Sequence, residues 1–140
     1  DDIEACFVQS AKSEFTTGFI ELDNAIDTKG PCRREVLVWM APTGVGKSIM
    51  LANNAVANAK LGRNVLYVTL ELSDTKSAIR AVGALTQKSI GSQQAREDNK
   101  AEILSIVSQY RQNDSIGDIK IIEFQNVIKK LEFYMKKYKM

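Results

Sequence analysis

Ala41-Pro-Thr-Gly-Val-Gly-Lys-Ser48 is the stretch of this sequence whose residue types and spacing are suited to chemistry. It follows the phosphate-binding pattern G-x-x-x-x-G-K-[ST] at every position but the first, where Ala41 replaces glycine. Each residue type has a physical reason. Gly44 and Gly46 let the backbone turn so that successive N–H groups point inward at phosphate oxygens. A helix beginning at Lys47 adds the partial positive charge of its N-terminus. Lys47 can reach the β- and γ-phosphates as a point charge, and the Ser48 hydroxyl can ligate Mg²⁺. Thr43, Gly44, Val45, Gly46, Lys47 and Ser48 are therefore the expected contacts for ATP, with Ser48 also the metal ligand. Ala41 fits the first position provided its φ is negative. The competing reading, a chance glycine turn between strand and helix, must explain two glycines, a lysine and a hydroxyl in register.

Glu71 is the second candidate. It ends the apolar run Val65-Leu-Tyr-Val-Thr-Leu70, and parallel sheets bind ligands beyond the carboxyl ends of their strands. A carboxylate there can orient and deprotonate a water for attack on a γ-phosphate. It can equally be the acidic partner of Mg²⁺, or a surface glutamate that helps to cap the next helix. The residues themselves leave these three readings open.

Two strands and a helix must hold these groups. Glu35-Val-Leu-Val-Trp-Met40 is β-rich and too short for a helix, so it is expected to be a buried strand ahead of the loop. Lys47 to Leu61 reads as a helix with Leu51, Ala52, Ala55, Val56 and Ala59 on one stripe and Gly62 as its stop. Val65–Leu70 is a second strand. Ser73 or Asp74 can cap a helix running to Thr86, and another helix is expected over Ser92–Gln112. A turn at Asn113–Asp118, a strand at Ile119–Phe124 and a helix at Asn126–Tyr138 complete the pattern. Ahead of all this, Thr16-Thr17-Gly18 reads as a turn, with Phe19, Ile20, Leu22 and Ile26 on one face of a short helix. Strands alternating with helices imply an α/β fold with a mostly parallel sheet flanked by helices. No repeat or linker divides residues 1–140, which read as one domain.

Composition narrows the chemistry. Hydrophobic residues are 44% and charged residues 26%, the balance of a packed protein. There is no histidine, which removes His-based triads, His general bases and His-ligated metals. Cys6 and Cys32 are too few and too far apart for a zinc cluster; they could pair as a disulfide, but free thiols of a cytoplasmic protein are expected. The longest uncharged apolar run, Val36 to Pro42, is too short to span a bilayer. Net charge is +2. Its basic end (Lys129, Lys130, Lys136, Lys137 and Lys139) is either a solvated helix face or a weak attractor of nucleic acid.

Beyond the loop, Thr17-Gly-Phe-Ile-Glu-Leu-Asp23 lies ahead of it, and Asn64-Val-Leu-Tyr-Val-Thr-Leu-Glu-Leu-Ser73 and Arg80 lie behind. Together these segments resemble the RecA-like motor domain of DnaB-type replicative helicases, in its phage-encoded branch. The resemblance implies a RecA-like P-loop NTPase fold and a ring-forming, hexameric ATPase that moves along single-stranded DNA. Such a motor unwinds duplex in DNA replication, with primase as a further partner. It implies that Glu71 is the catalytic base beside Lys47, and that Arg80 contacts the nucleotide by base or phosphate. Asp23 is expected to serve a turn or cap.

The sequence also departs from that family. Its pattern has a further strand ending in a metal-holding aspartate, but Asp74, Asp98, Asp114 and Asp118 follow no such apolar run. Ile121-Ile-Glu123 is a poor substitute, expected to be ordinary strand. Arg33-Arg34-Glu35 stands where arginine-glycine-glutamate is usual. The chain is accordingly expected to be a partial motor domain. Two alternatives stay open: another RecA-like ATPase of recombination, repair or clock type, and a nucleotide-binding ring module without turnover.

Overall fold

The computed structural model describes residues 12–124, and in it the chain is mixed α/β. It divides into two compact units with the boundary between Lys47 and Ser48. The expected helix Asn126–Tyr138, the basic end and Cys6 lie outside the described residues. Cys32 is a free thiol. No helix among the described residues is long and apolar enough to cross a membrane.

The first unit holds one short helix, α1 (Ile20–Ala25), none of whose residues is buried. The expected apolar face is therefore only half right. Ile20 is 71% exposed, while Phe19, just ahead of the helix, meets Trp39 edge-to-face with ring centroids 6.1 Å apart. The larger correction concerns Glu35–Met40. No strand forms there, and Val36 and Met40 are 87% and 88% exposed. The β-rich composition is real, but a strand is defined by its ladder, and these residues have no ladder partner among the described residues.

The second unit carries the α/β pattern. Helix α2 (Lys47–Lys60) buries Ala52, Ala55, Val56 and Ala59, as the stripe predicts, whereas Leu51 is 44% exposed. Small side chains let the helix lie close to its neighbours. Gly62, at φ 76°, ends it in the left-handed conformation that favours glycine. Strand β1 (Val65–Thr69) pairs in parallel with β2 (Ile119–Glu123), with Val65 opposite Ile119 and Thr69 opposite Glu123. Between them run α3 (Asp74–Thr86), α4 (Gln93–Asp98) and α5 (Lys100–Arg111). The single helix expected over Ser92–Gln112 is thus two. Asn99 separates them, and its amide donates back to the carbonyls of Ala95 and Ser89 at 2.8 and 3.3 Å. Such local side-chain bonds are the usual reason asparagine interrupts helices.

Two close approaches fix this unit. A Cβ at Gly117 would come within 2.2 Å of the Arg63 carbonyl oxygen, so only glycine lets the turn before β2 pass the entry to β1. The N–H of Gly117 bonds the Ala59 carbonyl at 2.9 Å, tying that turn to the end of α2. Ile90, 8% exposed, packs where Gly83 leaves room on α3. Truncating such a side chain to alanine typically costs about 2–5 kcal/mol.

Candidate functional site

The loop is exposed from Ala41 to Val45 and half-buried from Gly46. Ala41 has a negative φ, as its place in the motif requires, while Gly44 and Gly46 stand at φ 84° and 100°. A Cβ added at either glycine would meet nothing within 4 Å. Backbone conformation, not crowding, is what demands glycine here, and the space beside both residues is open. The Lys47 ammonium folds back across the loop and donates to the carbonyls of Ala41 at 2.5 Å and Pro42 at 2.7 Å. An ammonium has three N–H donors, so one is left for an anion. Lys47 makes no ion pair among the described residues.

Elsewhere in the first unit, Asp23 organises the turn ahead of α1. Its carboxylate accepts from the Thr16 hydroxyl and, at 2.8 Å, from the Thr17 N–H. The Thr16 hydroxyl in turn accepts from Gly18 N–H at 2.9 Å, and Thr17 is wholly buried. Burial pushes the Asp23 pKa up, but hydrogen bonds from the Thr16 hydroxyl and from the N–H and hydroxyl of Thr17 outweigh it and hold the pKa low. The expected turn role matches this geometry. Glu35 closes a second turn by accepting from the Cys32 N–H at 2.6 Å. Inside that turn Arg34 has φ 71°, a conformation that glycine takes at no steric cost.

Ser48, Glu71 and Arg80 belong to the second unit. Ser48 is the second residue of α2. Glu71 is exposed and lies just past the carboxyl end of β1. The Thr69 hydroxyl shapes its segment by donating to the Leu72 carbonyl at 2.8 Å and accepting from the Leu72 N–H at 3.1 Å.

The capping alternative for Glu71 can be weighed directly, because the caps of α3 are identified. Ser73 Oγ accepts from the Lys76 N–H at 3.3 Å, and Glu123 Oε1 accepts from the Asp74 N–H at 3.0 Å. Two other residues therefore serve that helix end. Ser73 is the cap, out of the two candidates the sequence offered.

Arg80 is half-buried and lines a groove of about 490 Å³ with Ile49 and Asn53 from the first turns of α2 and with Gly83 and Lys88. Its charge also reaches Tyr67 on β1. Burial raises the Tyr67 pKa, and the nearby guanidinium offsets part of that rise.

Two features went unpredicted, one in each unit. Glu123 is a helix cap as well as a strand residue, and Arg34 sits in a left-handed turn. The second was hinted at by the Arg33-Arg34-Glu35 departure from a glycine-bearing pattern. The first had no local signal, since donor and acceptor lie 49 positions apart.

No protein-family model matches the chain, and no curated protein matches it.

Proposed function

We propose that this chain is the ATP-binding part of a DnaB-type replicative helicase motor, with a RecA-like fold. The observation that carries the reading is the loop: left-handed glycines at 44 and 46, and the Lys47 ammonium anchored over Ala41 and Pro42 at the start of a 14-residue helix. That combination suits a tetrahedral oxyanion better than any other ligand chemistry. The donor set also fits a nucleotide with its metal. Thr43 to Ser48 would supply N–H groups to the phosphates, Lys47 its remaining donor, and Ser48 a hydroxyl to Mg²⁺. The ion would supply positive charge to offset the charge that develops on the phosphates.

Glu71 then accepts the proton of a water directed at the γ-phosphate, a role favoured by its exposure beyond β1 and by the two other caps of α3. Arg80 contacts the nucleotide from the groove it shares with Ile49 and Asn53. The left-handed Arg34, where the family has glycine, and the Asp23-centred turn both support the same assignment. The reading includes assembly into a hexameric ring, travel on single-stranded DNA and contact with primase.

The test is ATP hydrolysis by the full-length gene product with and without single-stranded DNA, together with unwinding of a forked duplex. DNA-stimulated turnover with unwinding is the expected result. Strand exchange without unwinding would reassign the chain to a recombinase-type relative. Nucleotide binding without turnover would make it a ring module.

A further inference from the structure

The Leu70–Ser73 segment carries Glu71, and the structure ties it down at both ends. At its start the Thr69 hydroxyl holds both the N–H and the carbonyl of Leu72. At its far end the Asp74 N–H donates to Glu123 Oε1 at 3.0 Å. Glu123 is the last residue of β2 and stands opposite Thr69 in the parallel ladder. One strand end thus fixes the turn leaving its neighbour. The bond is also favourable in its own right, because a carboxylate meets the positive end of the 13-residue helix α3.

We propose that Glu123 is a positioning residue for Glu71: by holding the Asp74 N–H it sets the height and angle at which Glu71 leaves the sheet. The proposal rests on the reading of Glu71 as general base. Glu123 touches no reacting atom. Its contribution is geometric, and displacement of a catalytic group by about 1 Å can cost on the order of 100-fold in rate.

The bond can be cut from either side. Glu123→Ala removes the acceptor, whereas Glu123→Gln keeps a carbonyl oxygen in its place. Asp74→Pro removes the donor N–H at the first position of α3, where proline is well accommodated, together with the carboxylate that accepts from the Thr75 N–H at 2.6 Å. Ser73 already has φ −62° and ψ 154°, the extended conformation a following proline prefers. Asp74→Ala controls for the lost aspartate side chain.

The experiment is steady-state ATP hydrolysis by the full-length gene product carrying each variant, with Glu71→Gln alongside and thermal unfolding as a check on folding. Glu123→Ala and Asp74→Pro are expected to lower kcat about 10- to 100-fold with KM for ATP unchanged. Their double variant should be no worse than either alone. Glu123→Gln and Asp74→Ala should stay within about threefold of the parent, since glutamine keeps an acceptor oxygen in the same place, though a weaker one, and alanine keeps the Asp74 N–H. If Glu71→Gln is crippled but Asp74→Pro folds and turns over normally, the base reading stands and the positioning role is wrong. If Glu71→Gln hydrolyses ATP at the parental rate, the base reading fails and this proposal fails with it. A rise in KM without a fall in kcat would also overturn it, because that pattern belongs to nucleotide binding. Should Glu123→Ala not fold, the Asp74→Pro and Asp74→Ala pair decides alone.

Discussion

The Lys47 ammonium lies 2.5 Å from the Ala41 carbonyl oxygen, six positions back along the chain. With the Pro42 bond it closes the loop upon itself and still leaves a donor for phosphate. Lys47 therefore shapes the site and also charges it. Lys47→Ala should weaken ATP binding roughly 10- to 150-fold, the worth of one charged hydrogen bond. Titration calorimetry on the parent and the variant measures it. Equal affinities would show that the loop does not hold phosphate.

Glu71→Gln preserves the shape of the side chain but cannot take a proton from water. In the full-length gene product it should bind ATP as tightly as the parent and hydrolyse it about 10²- to 10⁴-fold more slowly. Filter binding and phosphate release, run on the same preparation, separate the two quantities. Unchanged release would make Glu71 a plain surface residue.

Arg34 occupies φ 71°, and its side chain is exposed. A left-handed residue with a Cβ costs about 1–2 kcal/mol, and glycine gives back part of that as chain entropy. Arg34→Gly should therefore stabilise the first unit by about 0.5–1 kcal/mol, while Arg34→Ala, which keeps the Cβ, should not. Trp39 is the sole tryptophan and packs on Phe19, so its fluorescence reports unfolding of this unit. A lower midpoint for Arg34→Gly would refute the strain assignment.

The Asp23 carboxyl is held below its ordinary pKa by Thr16 and Thr17, against the opposing effect of burial. A depressed folded pKa means that the ionised form stabilises the native state. The contribution is complete above the unfolded value, about 3.9, and is lost as pH falls through the folded pKa. Trp39 fluorescence should then show an acid transition of the first unit that Asp23→Asn flattens. A variant whose acid limb superimposes on that of the parent would leave Asp23 without this role.

Local chemistry made part of this fold legible. Ser73 as a cap, Gly62 as a stop and the alanine stripe of α2 each follow from the residue and its nearest neighbours, and each is where the spacing predicts. What failed depended on partners distant in sequence. Glu35–Met40 has the composition of a strand, but pairing is a property of two segments, and no partner lies among the described residues. Glu123 looked like ordinary strand because its donor, Asp74, is reached only through the β1–β2 register. Asn99 is the intermediate case. Its side chain is visible in the sequence, but that it turns back on the Ala95 carbonyl and divides the helix expected over Ser92–Gln112 is not.

The 140-residue chain alone should bind nucleotide without hydrolysing it appreciably or unwinding DNA. The reason lies in where its acids fall. Ligands of a parallel sheet sit beyond the carboxyl ends of the strands. Of the four aspartates after Ser48, Asp114 and Asp118 precede β2 and so stand at its amino end. Asp74 opens α3 and Asp98 closes α4. None ends a strand. Glu123 does, but one of its oxygens already accepts from the Asp74 N–H. Metal held with ATP would therefore rest on Ser48 and the nucleotide, a poorer hold than a hydroxyl and an acid together. An arginine donated by a neighbouring subunit can add about 10³- to 10⁵-fold in related phosphoryl transfer, and no residue of this chain is assigned that role. Steady-state hydrolysis by purified residues 1–140, with and without single-stranded DNA, is the measurement. Binding of ATP with turnover near background is the expected outcome. Robust DNA-stimulated turnover would show that these residues already form a complete motor, with an acid other than a strand-ending aspartate holding the metal.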